Sequence, residues 1–209
     1  MMTTRRTLLA TAFAGPLLAG TMLAGTMLAG TVAHAADAAS STAFVDAMLR
    51  ELLAVVNGPG ALAAKRAQLS RIVQQRVDVE AVARFCLGRF WRMATPQQQS
   101  DYVALFQDVL VKNVTGNLGE YQGVTYTLDQ AVRRPIDFAV PTIVNRPGNA
   151  PSKVEWVVDA EGPPMVIDVI AEGTSLRLTQ RSDYSSFISR NGNSVQALID
   201  ALRRQAATG

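Results

Sequence analysis

TPQQQSDYVALFQDVLVKNVTGNLGEYQGVTYTLDQ, residues 95–130, holds the change of period that decides the fold. Its first part is helical. Thr95-Pro96-Gln97-Gln98 forms a capping box with proline at the first helical position, where the missing N–H removes no hydrogen bond. Tyr102, Leu105, Phe106, Val109, Leu110 and Val114 then recur at three- and four-residue steps, the apolar stripe of an amphipathic helix. Asn117 and Gly119 close it. Beyond Gly119 the period drops to two, the signature of strands.

Downstream, strands are expected at 123–130, 137–145, 153–159, 165–171 and 174–180. The third is the cleanest: Val154, Trp156 and Val158 point one way, Lys153, Glu155 and Asp159 the other. Pro141 makes part of the second an edge or a bulge. Turn signals at 145–149 (NRPGN) and 161–164 (EGPP) imply an antiparallel meander. The chain then returns to helix. Ser182 or Asp183 starts one with Tyr184, Phe187 and Ile188 on one side, and Gly192 stops it. Ser194 caps the last, with Val195, Leu198, Ile199 and Leu202 as its stripe.

Upstream, three more helices are expected. Phe44, Val45, Met48, Leu49, Leu52 and Val56 mark the first, from Thr42 to the Asn57-Gly58-Pro59-Gly60 break. Leu62, Leu69, Ile72 and Val73 mark a second, at about 61–75. Asp78 caps a third, with Val79, Val82, Ala83, Cys86 and Leu87 inward and Gly88 at its end. Helices, then strands, then helices define an α+β domain over 42–205: an antiparallel sheet of four to five strands packed by N- and C-terminal helices.

Residues 1–35 read as a signal peptide. Arg5 and Arg6 precede a long uncharged run, ending in the small-x-small pattern Ala33-His34-Ala35. The repeats LAGTM, LAGTM and LAGTV lie within that run. The run is also long enough to span a bilayer, so an uncleaved anchor is the competing reading. The paired arginines suit either the general secretory or the twin-arginine route. Residues 36–41 read as a flexible arm.

Without Arg5 and Arg6, 18 basic residues face 17 acidic ones, a net charge of about +1. No basic stripe remains, which argues against nucleic acid as a partner. The single histidine, His34, lies in the leader, and the single cysteine is Cys86. Histidine-based triads and zinc sites built on histidine or paired cysteines are therefore excluded from the processed chain. Glu155, Asp159 and Asp168 are the carboxylates a hydrolase would need, but solvated charge is the simpler reading of the first two. Cys86 lies on an apolar helix face and reads as a buried structural thiol.

Leu87-Gly88-Arg89-Phe90-Trp91-Arg92-Met93-Ala94-Thr95-Pro96-Gln97-Gln98-Gln99 resembles the G-R-x-W-R-x-A-T-P-E-Q-Q signature of the MlaC/toluene-tolerance family. Ile167-Asp168-Val169, Glu172-Gly173-Thr174-Ser175-Leu176, Gln180-Arg181 and Phe187 to Gly192 resemble its later motifs in order and nearly in spacing. The resemblance runs from about Phe44 to Leu202. It implies a twisted sheet packed by helices around a lipid cavity, and a periplasmic carrier, not an enzyme, that needs no cofactor or metal. The implied partners are a phospholipid, the lipid-binding ring of an inner-membrane ABC transporter and an outer-membrane lipoprotein complex. A monomer suits a shuttle. Relatives often carry an aromatic residue where this chain has Pro163-Pro164-Met165, so the pocket is expected to differ there.

On this reading the sheet wall is Val140, Trp156, Val158, Val169, Leu176 and Leu178. The facing helix residues are Phe85, Phe90, Trp91, Tyr102, Phe106, Leu110, Tyr184, Phe187 and Ile188. Arg89, Arg92 and Arg181 are the candidates for a phosphate headgroup, with surface ion pairs as their ordinary alternative. A hopanoid-type lipid, or a protein held in the same groove by an adaptor, would leave the same pattern.

Overall fold

The computed structural model describes residues 37–116 and 118–207. The leader expected at 1–35 and the helix terminator Asn117 lie outside the described residues. The chain runs α1 (Ala38–Asn57), α2 (Leu62–Arg76), α3 (Val79–Leu87), α4 (Pro96–Gly116), β1 (Thr125–Leu128), β2 (Val132–Arg133), β3 (Asp137–Asn145), β4 (Ser152–Asp159), β5 (Val166–Ala171), β6 (Thr174–Ser175), α5 (Leu176–Arg190) and α6 (Val195–Ala207). Short 3₁₀ turns lie at Gly88–Arg92 and Leu118–Tyr121. This is the expected α+β class.

The helix starts follow from side chains that satisfy otherwise orphaned N–H groups. Thr95 and Gln98 form their box reciprocally, at 3.2 and 3.1 Å. Asp78 accepts from the Ala81 N–H at 2.9 Å, and Ser194 from that of Ala197 at 3.2 Å. α1 starts earlier than its apolar period, inside the expected arm. Asp37 accepts from the Ser40 N–H at 2.7 Å, and the Ser40 hydroxyl accepts from the Asp37 N–H at 2.8 Å. That small polar box adds a helical turn that hydrophobic spacing cannot register.

The sheet order is β1-β3-β4-β5-β6, with β2 also paired to β3, and every pairing is antiparallel. β3 is an interior strand despite Pro141. The Pro141 carbonyl accepts from the Asp129 N–H at 2.9 Å, so its N–H-less nitrogen faces the same side. That side is where β1 gives way to β2, and the proline costs the ladder nothing there.

The stretch 174–180 corrects the sequence expectation. Its strand lasts two residues, and α5 begins at Leu176 instead of Ser182 or Asp183. Ser175 is the cap: its hydroxyl accepts from the Leu178 N–H at 3.1 Å, and the Thr179 hydroxyl donates back to its carbonyl at 3.0 Å. Leu176 and Leu178 imitate a strand's alternation, but they lie on the first turn of a helix, 51% and 58% exposed.

The apolar interior forms two clusters. One joins α1, α2 and the sheet through Val45, Met48, Leu49, Leu69, Ile72, Phe138, Val140, Val158 and Val166. The other joins α3 to α6 through Leu87, Phe90, Tyr102, Phe106, Tyr184, Ile188, Leu198 and Ile199. α2 and α4 stand at the boundary. Leu69 and Ile72 belong to the sheet cluster and Val73 to the helical one; Phe106 and Val109 belong to the helical cluster, while Val114 packs on the sheet cluster.

Candidate functional site

The expected sheet wall and the expected helix wall fall into separate clusters. Val140 and Val158 are fully buried in the sheet cluster, with Trp156 and Val169 partly buried against it. Phe90, Tyr102, Phe106, Tyr184 and Ile188 are buried in the helical cluster, and Trp91, Leu110 and Phe187 pack against it. Leu176 and Leu178 join neither. Phe85 is half-buried under two guanidinium groups, those of Arg177 at 4.6 Å and Arg181 at 4.9 Å from its ring centre.

The helical cluster centres on three aromatic rings. Tyr102 lies 6.0 Å from Phe106 and 6.1 Å from Tyr184, and Phe106 lies 6.4 Å from Tyr184 in an edge-on contact. Such geometry suits ring quadrupoles. The Tyr102 hydroxyl donates to the Ala83 carbonyl at 2.9 Å. Burial pushes both tyrosine hydroxyls well above the usual phenol range, so both stay protonated at neutral pH.

The two clusters are tied at Val77, which packs on both. Val77 forms a parallel bridge to Val166, and the Asp78 N–H donates to the Val166 carbonyl at 3.0 Å. The link from α2 to α3 is thereby pinned to β5. On β4, the Trp156 indole N–H is buried without a hydrogen-bond partner among the described residues. Two surface depressions, of about 390 and 310 Å³, lie elsewhere. The first is lined by Thr42, Asp46, Leu128 and Gln130 and the second by Asp200, Arg203 and Arg204; neither touches a wall residue.

The three headgroup candidates are all exposed but differently engaged. Arg89 stacks over Phe90 at 4.8 Å and approaches the Ser189 hydroxyl at 3.5 Å. Arg181 lies over Phe85 and against Gly88. Arg92 makes no ion pair among the described residues. Met165, where the pocket is expected to differ, is half-buried, and its carbonyl accepts from the Asp159 N–H at 3.0 Å.

Asp168 is 6% exposed and fully engaged. It accepts from the Ser175 hydroxyl at 2.5 Å and from the N–H groups of Val169 and Arg177 at 2.8 and 3.1 Å, and lies 3.3 Å from Arg177 Nε. A carboxylate so occupied is a structural clasp, not a free acid or base. Sequence reasoning missed Arg177 here. The signal is the Asp168-to-Ser175 spacing, which the alternating period disguises as two strands. Cys86 is buried, its thiol donating to the Arg177 carbonyl at 3.6 Å and pushed up to about 12, chiefly by burial and then by the Asp168 charge.

Comparisons with known proteins agree with this architecture. A phospholipid-binding protein from Ralstonia solanacearum, solved in complex with a phospholipid, superposes with a TM-score of 0.70 at 26% sequence identity. The match covers 82% of this chain and 98% of that one. Residues 43–204 match the MlaC protein family, from the buried face of α1 to the last turns of α6. The chain belongs to the MlaC family.

Proposed function

We propose that this protein is a lipid carrier that takes phospholipid acyl chains between its sheet and its helical layer. The observation that supports this best is the match, over 82% of this chain, to a protein solved with a phospholipid bound. The physical need is plain. At ~0.8 kcal/mol per methylene, a sixteen-carbon tail in water carries on the order of 12 kcal/mol of unfavourable hydration. A carrier removes that cost by enclosing the tail, and enclosure requires neither nucleophile nor metal.

The acyl chains enter along the boundary set by α2 and α4. Val140, Trp156, Val158 and Val169 form one side; Phe90, Trp91, Tyr102, Phe106, Leu110, Tyr184, Phe187 and Ile188 form the other. Both sides are apolar, so parting them exchanges one dry contact for another. The headgroup stays in solvent beside Arg89, Arg92 or Arg181.

In this reading the leader directs export to the periplasm. There the carrier exchanges lipid with the ring of an inner-membrane ABC transporter and with an outer-membrane lipoprotein complex, sustaining outer-membrane lipid asymmetry. The test is organic extraction of the purified protein followed by mass spectrometry. One phospholipid per chain is the expected result. A polycyclic lipid would redirect the proposal to hopanoids, and protein without lipid would favour a periplasmic adaptor.

A further inference from the structure

Trp156 lies in the middle of β4, opposite Val140 on β3 and Val169 on β5. Its face of the sheet is lined by Phe138, Val140, Val158 and Val166. Within that apolar setting the indole Nε1 is buried and makes no hydrogen bond among the described residues. A buried donor without an acceptor bears its full desolvation penalty, which native structures rarely tolerate. Phenylalanine would supply a ring here without that penalty. The neighbouring polar group on this face is Thr142, diagonal to Trp156 across the ladder and 2% exposed. Among the described residues its hydroxyl reaches only the Val140 carbonyl, at a long 3.4 Å. Two under-used donors therefore sit side by side on an otherwise apolar wall.

The surroundings limit what can satisfy them. A phosphate would lose its hydration among these valines, and the cation at the edge of that face, Arg133, is exposed and already stacked over the Phe138 ring at 4.9 Å. A neutral acceptor suits the place. In a diacyl lipid the neutral acceptors adjoining the hydrocarbon are the ester carbonyls. This step rests on the phospholipid-binding reading above. We infer that Trp156 donates its indole N–H to an ester carbonyl of the bound lipid, making the site selective for ester-linked over ether-linked chains.

The experiment is competition against a fluorescent phospholipid, using the purified full chain. The competitors are a diester phosphatidylglycerol and its diether analogue with chains of equal length. The wild-type protein prefers the diester by about fivefold, the worth of one net hydrogen bond. Trp156→Phe takes both lipids alike, its loss confined to the diester. A wild-type ratio near one, or a preference that survives in Trp156→Phe, would overturn the inference while leaving lipid binding intact. The wild-type ratio needs no variant, so misfolding of Trp156→Phe does not protect the claim. If the fluorescent phospholipid itself fails to bind, the carrier reading falls and this inference with it.

Discussion

The Ser175 hydroxyl donates to the Asp168 carboxylate at 2.5 Å while accepting from the Leu178 N–H at 3.1 Å. One serine thus joins the end of the sheet to the start of α5. Its partner carboxylate is buried, and a buried anion persists only where charge and hydrogen bonds replace its water. Asp168 has both, from Arg177 and from two backbone N–H groups.

Removing either partner should therefore loosen the same corner. Ser175→Ala loses a helix cap and a charge-assisted hydrogen bond, a cost of about 1–3 kcal/mol. Asp168→Asn removes the charge facing the partly buried Arg177 guanidinium and weakens the hydrogen bonds that the carboxylate accepts, a cost of about 1–3 kcal/mol. Thermal melts of both variants check this. An Asp168→Asn protein as stable as wild type would contradict the clasp.

Gly88 has φ +58° and ψ −127°, a conformation that residues with a Cβ avoid. A Cβ there would also lie 3.1 Å from Arg181 Nε. Gly88→Ala is expected to destabilise by about 1–3 kcal/mol. Urea unfolding should show a lower midpoint with an unchanged slope.

Cys86 supplies a pH-dependent prediction. Its thiol is raised from the ordinary 9.0 to about 12, so the folded state keeps its proton where the unfolded state has lost it. The contribution to stability is full below pH 9 and declines as pH rises from there toward 12. At pH 8, alkylation by iodoacetamide should be slow in native protein and rapid in denaturant. Fast native labelling would show that the thiol is not sequestered.

Wall variants separate packing from binding. Phe106→Ala empties a site 7% exposed in the aromatic cluster, at a cost of about 3–5 kcal/mol, whereas Leu178→Ala, on a turn 58% exposed, stays within about 0.5 kcal/mol. Phe106→Ala and Trp156→Ala should both lower the lipid recovered per folded protein. Full lipid recovery from both would remove these residues from the wall. Phe106→Leu, closer in volume, tests shape at a smaller stability cost.

What the amino-acid sequence determined alone was local. The boxes at Thr95 and the caps at Asp78 and Ser194 involve residues three apart, and the stripes of α1, α4 and α6 involve one helix each. Such short-range relations persist in any tertiary setting, so the α+β order and the family motifs were legible. Tertiary structure alone decided the rest. Leu176 and Leu178 follow the period of a strand, yet Ser175, turned toward Asp168 seven residues earlier, makes them the start of a helix. Pro141 sits harmlessly in an interior strand because its neighbours β1 and β2 part beside it. The division of the wall between two clusters, and the unpaired indole of Trp156, depend on which faces meet across the fold. Period reveals that a face is apolar; only long-range packing chooses its partner.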